Sequence, residues 1–325
     1  MRYSILDRAI AVAGLSESEV LRSVVDHARS AEERGFERFL VAEHHGVPGI
    51  PGSQPTVLAS AIAASTSRIR VGTGGIMLPS YQPLIVAEQI GVLEALFPGR
   101  IDAGIGSSIG FTRPVRTALR QDDVEAVKSR FTDDLEELLS YLSGDAAITA
   151  RPQNHLRTPV WLLANFRSLL IAAKYGLGVI VGGPSLVDRS KPIHDGLKMY
   201  REQFRPSAFW QEPTAIAAIN VAVADDASSA RDLLLPQVWA EVKSRSTGAF
   251  DHLLPVADLD ETTLTSQERA RVADGLDLAI HGTPEQVRGQ LRDLQQFTGV
   301  DEVLVTGDMG DYEGRARSEQ LLVEL

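Results

Sequence analysis

Residues 38–46 read RFLVAEHHG and residues 68–106 read RIRVGTGGIMLPSYQPLIVAEQIGVLEALFPGRIDAGIG, and the parsing of these two stretches decides the fold. They hold three short apolar or β-branched runs separated by long helix-forming segments. Each run ends in residues ill suited to a core. His44 and His45 follow the first, Gly72, Gly74 and Gly75 break the second, and Gly104 and Gly106 break the third. Polar or glycine residues at the C-terminal ends of successive parallel strands mark the place where a (β/α)8 barrel builds its ligand site.

Outward from this core the alternation continues. Residues 3–7 read as a first strand, 36–42 as a second and 69–74 as a third. Between them, Ser16 and Glu19 form a capping box ahead of a helix that Gly35 stops, and TVLASAIAAS (56–65) forms a small-residue helix. A helix over 84–97 precedes a fourth strand at 101–105. One polar helix over 116–142 leads to a fifth strand in VWLLAN (160–165), and a sixth follows at 177–181. Residues 187–204 read as helix, 214–223 as the seventh strand, and a further helix runs from Asp225 to about Val242. Between Lys243 and Leu278 the periodicity loosens, which predicts a mobile insertion rather than a barrel unit. Thr283, Pro284 and Glu285 open another helix, residues 302–306 supply the eighth strand, and a helix from Tyr312 closes the ring. Eight strands alternating with helices predict a (β/α)8 TIM barrel, a single domain over residues 1–325.

Composition narrows the chemistry. With 325 residues, 44% of them hydrophobic, the chain can bury a large core. The 43 acidic residues outnumber 32 basic ones, giving a net charge of -11, which disfavours nucleic acid or an anionic membrane as a partner. The absence of cysteine excludes thiol nucleophiles, disulfides and thiolate metal sites, so redox chemistry requires a bound cofactor. No stretch reaches the roughly 18 uncharged apolar residues of a spanning helix, and a cytoplasmic protein is expected. The helix over 84–97 is apolar on more than one face, so something must cover its outer side: a second copy of the chain, together with the helix around 57–64, or a terminal segment of the same chain.

Two adjacent histidines on a strand cannot both face the barrel mouth, because side chains alternate. His44 is the expected pocket residue, able to exchange a proton near neutral pH, with Glu43 pairing either with it or with an arginine. A bond from either histidine to loop backbone is the plainer alternative. His27, His155, His194, His252 and His281 lack metal-ligand spacing, so no catalytic metal is expected. The Gly74–Gly75 pair either loosens a strand end or clears Cβ atoms from a slot that a planar ring such as isoalloxazine would fill, with Gly104 and Gly106 beside it.

The motifs VAEHHG, the 68–106 stretch, PVWLLA, YREQFRPSA, HGTPEQV and VDEVLV span nearly the whole chain, and together they resemble the bacterial luciferase-like, flavin-dependent monooxygenases. The resemblance implies a barrel, usually dimeric, that binds reduced FMN at its mouth and activates O2 toward a small-molecule substrate. A separate flavin reductase would supply the reduced cofactor, since no dinucleotide-binding fingerprint is present. It implies His44 as the catalytic histidine with His45 beside it, and a non-prolyl cis peptide at Gly74–Gly75 behind the ring. Glu43, Gly106, Ser107, Ala164, Asn165, Arg167 and Ser168 would complete the cofactor site, with Ser108 near the phosphate. The chain departs from the family pattern where relatives commonly carry an arginine or other polar group just after the fourth strand, and serines or threonines after the fifth, to hold the cofactor phosphate. Here these segments read GIGSSIG and LLANFRSLL, with Phe166 in place of a small polar residue. Two alternatives stay open: a deazaflavin- or flavin-dependent dehydrogenase on the same barrel, and a degenerate relative that binds flavin without catalysis.

Overall fold

The computed structural model describes residues 1–153, 157–187 and 190–325, and of Phe166 only the backbone. His155 therefore lies outside the described residues, as does the Phe166 side chain. In chain order, β1 (Arg2–Asp7), α1 (Glu17–Arg34), β2 (Arg38–Val41), α2 (Pro55–Ser65), β3 (Arg70–Thr73), the short β4 (Ile76–Met77) and α3 (Pro83–Leu96) lead to β5 (Ile101–Gly106). Then come α4 (Arg113–Ala118), α5 (Val124–Ser143), β6 (Val160–Ala164), α6 (Phe166–Tyr175), β7 (Gly178–Gly182), α7 (Asp195–Gln203), β8 (Ala215–Ile219) and β9 (Val221–Val223). The chain finishes with α8 (Ala227–Thr247), α9 (Ser266–Asp277), β10 (Ile280–Gly282), α10 (Pro284–Thr298), β11 (Glu302–Val305) and α11 (Tyr312–Val323).

Eight of these strands pair in parallel around a closed ring, β1-β2-β3-β5-β6-β7-β8-β11 and back to β1, with helices outside: a (β/α)8 TIM barrel. The predicted helix signals act as read. Ser16 and Glu19 close a capping box on α1, Gly35 ends it at φ 85°, and Thr283 with Gln286 boxes the start of α10. No helix among the described residues is long and apolar enough to cross a membrane.

The structure corrects several boundaries. The single helix expected over 116–142 is two, α4 and α5, because Arg120 turns left-handed at φ 57° and Gln121 is drawn inward, accepting from Gly110 N at 2.8 Å and donating to Ser80 Oγ at 3.1 Å. Of the helix expected over 187–204, the described residues form Asp195–Gln203, capped by His194. The seventh strand splits at Asn220, so that β8 stays in the barrel while β9 leaves it to pair with β10. The stretch read as an insertion carries the end of α8 and all of α9, whose Val272 and Leu276 pack with Leu264, Leu234 and Val238 in a second apolar cluster.

Inside the barrel the period-2 alternation sorts residues into layers. At the bottom, Arg38 lies between two carboxylates: Nε and Nη2 reach Glu302 at 2.5 and 2.9 Å, and Nη1 reaches Asp102 at 2.9 Å. Asp102 also accepts from Arg70 Nε at 2.8 Å and from Trp161 Nε1 at 2.9 Å, and Glu302 from Ser4 Oγ at 2.6 Å. Above this polar floor sit Leu40, Trp161, Ile180, Ile216 and Leu304. On one side β3 and β5 approach so closely that a Cβ on Gly72 would fall 1.9 Å from Asp102 O and one on Gly104 2.0 Å from Thr73 O. The Thr73 hydroxyl bridges the gap, donating to Gly104 O at 2.8 Å and accepting from Gly104 N at 3.0 Å.

The fully buried Arg38 pairs give a first prediction. Arg38→Met leaves two buried carboxylates without their shared cation, which costs about 3–5 kcal/mol. Urea unfolding followed by far-ultraviolet circular dichroism should show the loss; a change under about 1 kcal/mol, the scale of an exposed pair, would contradict it.

Candidate active site

Glu43, two residues past β2, anchors the strand end. Its buried carboxylate accepts from Met77 N at 2.8 Å, from Tyr81 OH at 3.0 Å and from His45 Nε2 at 2.5 Å. Those three bonds tie the end of β2 to β4 and the turn after it. They also settle the division between the two histidines, because His45 is turned toward Glu43. Burial and the Glu43 charge push the Tyr81 phenol above its ordinary range, so it stays a donor.

His44 is held on the other side. Its backbone N–H donates to Gly52 O at 3.2 Å and its ring stacks on Phe111 at 5.6 Å, with planes 14° apart. Its Nδ1 is buried and has no hydrogen-bond partner among the described residues. Burial, then the charges of Arg8 and His45, pull its pKa down to about 4, so the imidazole is neutral at physiological pH. Phe111, 58% exposed, stands on the loop after β5, which is braced by Arg116 Nη1 donating to Gly110 O and Phe111 O at 3.1 Å.

The glycines divide by role. The Gly74–Gly75 peptide is cis. A Cβ on Gly74 would lie 2.5 Å from Leu6 Cδ1, and one on Gly75 2.7 Å from Gly104 O, so protein atoms take up the positions that the missing side chains vacate. Gly106 differs, since its nearest neighbour would be Ile76 O at 3.6 Å. The expected slot therefore narrows to the level of Gly106.

Past β6, buried Ala164 leads into Asn165, whose Oδ1 accepts from Arg167 N and Ser168 N at 3.1 Å and from Ser168 Oγ at 3.2 Å. The cap thus occupies the two amides that an anion would use at the N-terminus of α6. Ser108, Asn165 and Arg167 are exposed and Ser107 half-exposed at this rim, so that Arg167 places an exposed cation at the start of α6.

The opposite side of the mouth is roofed. Ala11 N donates to Gly49 O at 2.8 Å, Gly49 N to Phe250 O at 2.9 Å, Leu253 N to Ala11 O at 2.8 Å and Ala13 N to Leu253 O at 2.9 Å. These bonds knit the loops after β1, β2 and α8 over Ile10, Ile50, Ala240 and Leu253. Arg8 sits beneath, with Nε 2.6 Å from Asp308 Oδ2 and Nη1 3.4 Å from Glu241 Oε1, while Nη2 is buried with no partner among the described residues. Sequence reasoning passed over Arg8, Phe111 and Gln121, none of which belongs to a motif. A cavity of about 560 Å³, lined by Val12, Val223, Leu233, Pro236, Leu254 and Gly310, lies apart from His44, at the N-terminal ends of α8 and α11.

Comparison with known proteins agrees with the geometry. The luciferase-like monooxygenase family model matches residues 1–302. The luciferase-like monooxygenase of Escherichia coli (strain K12) is 32% identical over 327 residues, covering 99% of this chain and 96% of that protein. The crystal structure of apo-MsnO8 superposes with a TM-score of 0.83 at 30% identity, over 99% of this chain and 97% of that one. Two more distant structures share the fold: the oxygenating constituent of 3,6-diketocamphane monooxygenase of Pseudomonas putida in complex with FMN, and an F420-dependent secondary alcohol dehydrogenase. Their TM-scores are 0.72 and 0.69 at 15% and 12% identity, covering 100% and 99% of this chain and 97% of each of theirs.

The His44 environment gives a second prediction with a definite sign. The unfolded chain takes up this proton near the ordinary value of about 6.5, the folded one near about 4. Between those values the unfolded state binds more protons, so His44 lowers stability as the pH falls through that window. Side-chain 15N NMR should place the His44 midpoint near about 4, moving upward in Phe111→Ala as burial is relieved; a midpoint at the ordinary value in the native protein contradicts the reading.

Proposed function

The chain belongs to the luciferase-like monooxygenase family, and from that premise we propose that it oxidises a small organic substrate with O2 and reduced FMN delivered by a separate reductase. The observation that carries this reading is His44, a neutral imidazole at a strand end with a buried, partnerless Nδ1. Reduced FMN would supply the electrons that activate dioxygen. His44 would take or give a proton at Nδ1, and Glu43 and His45 would keep the strand end that carries it in place. Gly106 leaves room for a ring, while Gly74 and Gly75 form a wall behind it. Ser107 and the Arg167 guanidinium would hold the phosphate, with Asn165 and Ser168 fixing the helix start from which Arg167 projects, and Ala164 below them. The roof over Ile10, Ile50 and Leu253 would keep water from the reacting groups.

A deazaflavin dehydrogenase is the second reading, supported by the barrel shared with an F420-dependent enzyme. Turnover without oxygen separates the two. The functional unit proposed is a homodimer joined through α2 and α3, whose outward apolar residues Val57 (68% exposed) and Leu96 (60% exposed), with Ile85 and Val92, no described segment of the chain covers.

Two measurements test these proposals. Reduced FMN should bind saturably under anaerobic calorimetry, and on admission of air His44→Asn should change the rate of oxidation of the bound flavin by roughly 10²-fold at unchanged affinity. No saturable binding of reduced FMN, or an unaltered rate in the variant, overturns the oxygenase reading. Light scattering should give twice the chain mass for the native protein and the single mass for Leu96→Glu; a native monomer overturns the dimer.

A further inference from the structure

Two buried polar atoms at the mouth have no partner among the described residues, Nη2 of Arg8 and Nδ1 of His44. The two residues are neighbours. β1 and β2 run side by side in the register Asp7 with Val41, placing Arg8 and His44 just past adjacent strand ends. Both border Gly52, which accepts the His44 N–H and on which a Cβ would lie 3.2 Å from Arg8 O. A partnerless buried donor is a desolvation cost that a correctly placed oxygen removes.

The groups around Arg8 decide what kind of oxygen. Its guanidinium already faces Asp308 at 2.6 Å and Glu241 at 3.4 Å. Asp7, the residue before it, is a buried carboxylate paired with His27 at 2.8 Å, and together with burial its charge pushes the Asp308 carboxyl upward. A further carboxylate on Nη2 would be the third on this one arginine, with the Asp7 carboxylate already bearing on Asp308. A neutral oxygen adds no such repulsion, and the neutral imidazole meets it through either tautomer, donating to a carbonyl or accepting from a hydroxyl.

We propose that Arg8 Nη2 and His44 Nδ1 together bind one neutral oxygen, carbonyl or hydroxyl, and that the same pair refuses carboxylates. This rests on the barrel mouth being the reaction site, and it makes Arg8 a substrate- or cofactor-orienting residue selective for uncharged groups. The oxygen can belong to the substrate or to the pyrimidine edge of the flavin.

The test uses the full chain with 15N-labelled histidine and arginine side chains and two nearly isosteric probes, acetamide and acetate. Acetamide should shift the His44 and Arg8 resonances saturably, with acetate at least roughly tenfold weaker. Arg8→Lys keeps a cation for Asp308 but loses the second arm of the fork, and should weaken acetamide by about tenfold or more. The double variant Arg8→Gln/Asp308→Asn, which leaves no unpaired buried carboxylate, should do the same if the lysine variant folds poorly. If the oxygen is the flavin's, FMN competes with acetamide and loses about tenfold in affinity in Arg8→Lys; if it is the substrate's, FMN and acetamide bind together and FMN affinity is unchanged. Acetamide causing no saturable shift, acetate binding as tightly, or both variants binding acetamide normally overturns the proposal. Failure of FMN to bind at all counts against the oxygenase reading alone, because the acetamide result remains legible without it.

Discussion

A single guanidinium holds the barrel in register. Arg38 on β2 bridges Glu302 on β11 and Asp102 on β5, while Asp102 takes in Arg70 from β3 and Trp161 from β6, and Glu302 takes in Ser4 from β1. Six of the eight strands thus meet at one charge network. A slip of one residue in any of them would turn its polar floor residue out into the apolar layer between strands and helices, where an ion has no partner. Such a network is weak as a source of stability relative to a packed apolar floor, but it strongly disfavours wrong registers. The register of those six strands, and with it the height of their ends at the mouth, is tied to this network.

At those ends the chain separates side chains that hold the backbone from side chains left without a partner. Glu43 accepts from Met77, Tyr81 and His45, which fixes the backbone from which His44 projects. His44 is left neutral, stacked on Phe111 and near the charge of Arg8. The same separation recurs at α6, where Asn165 satisfies the helix amides and leaves the Arg167 side chain at the rim.

What could be read beforehand was what repeats. The eight strands, the capping box at Ser16, the stop at Gly35 and the helix opening at Thr283 follow from local periodicity and capping chemistry. His44 at the mouth and the Gly74–Gly75 position followed from a strand end and from family resemblance. The errors fall where a distant partner overrides local preference. Gln121 breaks a helix because Gly110 and Ser80 claim its amide, Glu43 pairs with neither His44 nor an arginine because Met77 and Tyr81 help to claim its carboxylate, and Gly72 and Gly104 are small because of each other's strand. None of these partners lies within one helical turn in sequence, so no window of neighbouring residues contains the information.

The stitched loops over β1 and β2 carry a consequence for the shape of the mouth. Ala9, Ile10, Gly49, Ile50 and Leu253 are buried there, whereas Ser108, Phe111, Asn165, Gly182 and Gly183 stand open on the far rim. Among the described residues the far rim, where the Phe111 ring stands, is the side left open to solvent. That difference makes the mouth lopsided: a guest lying across it would meet knitted backbone at one end and open water at the other.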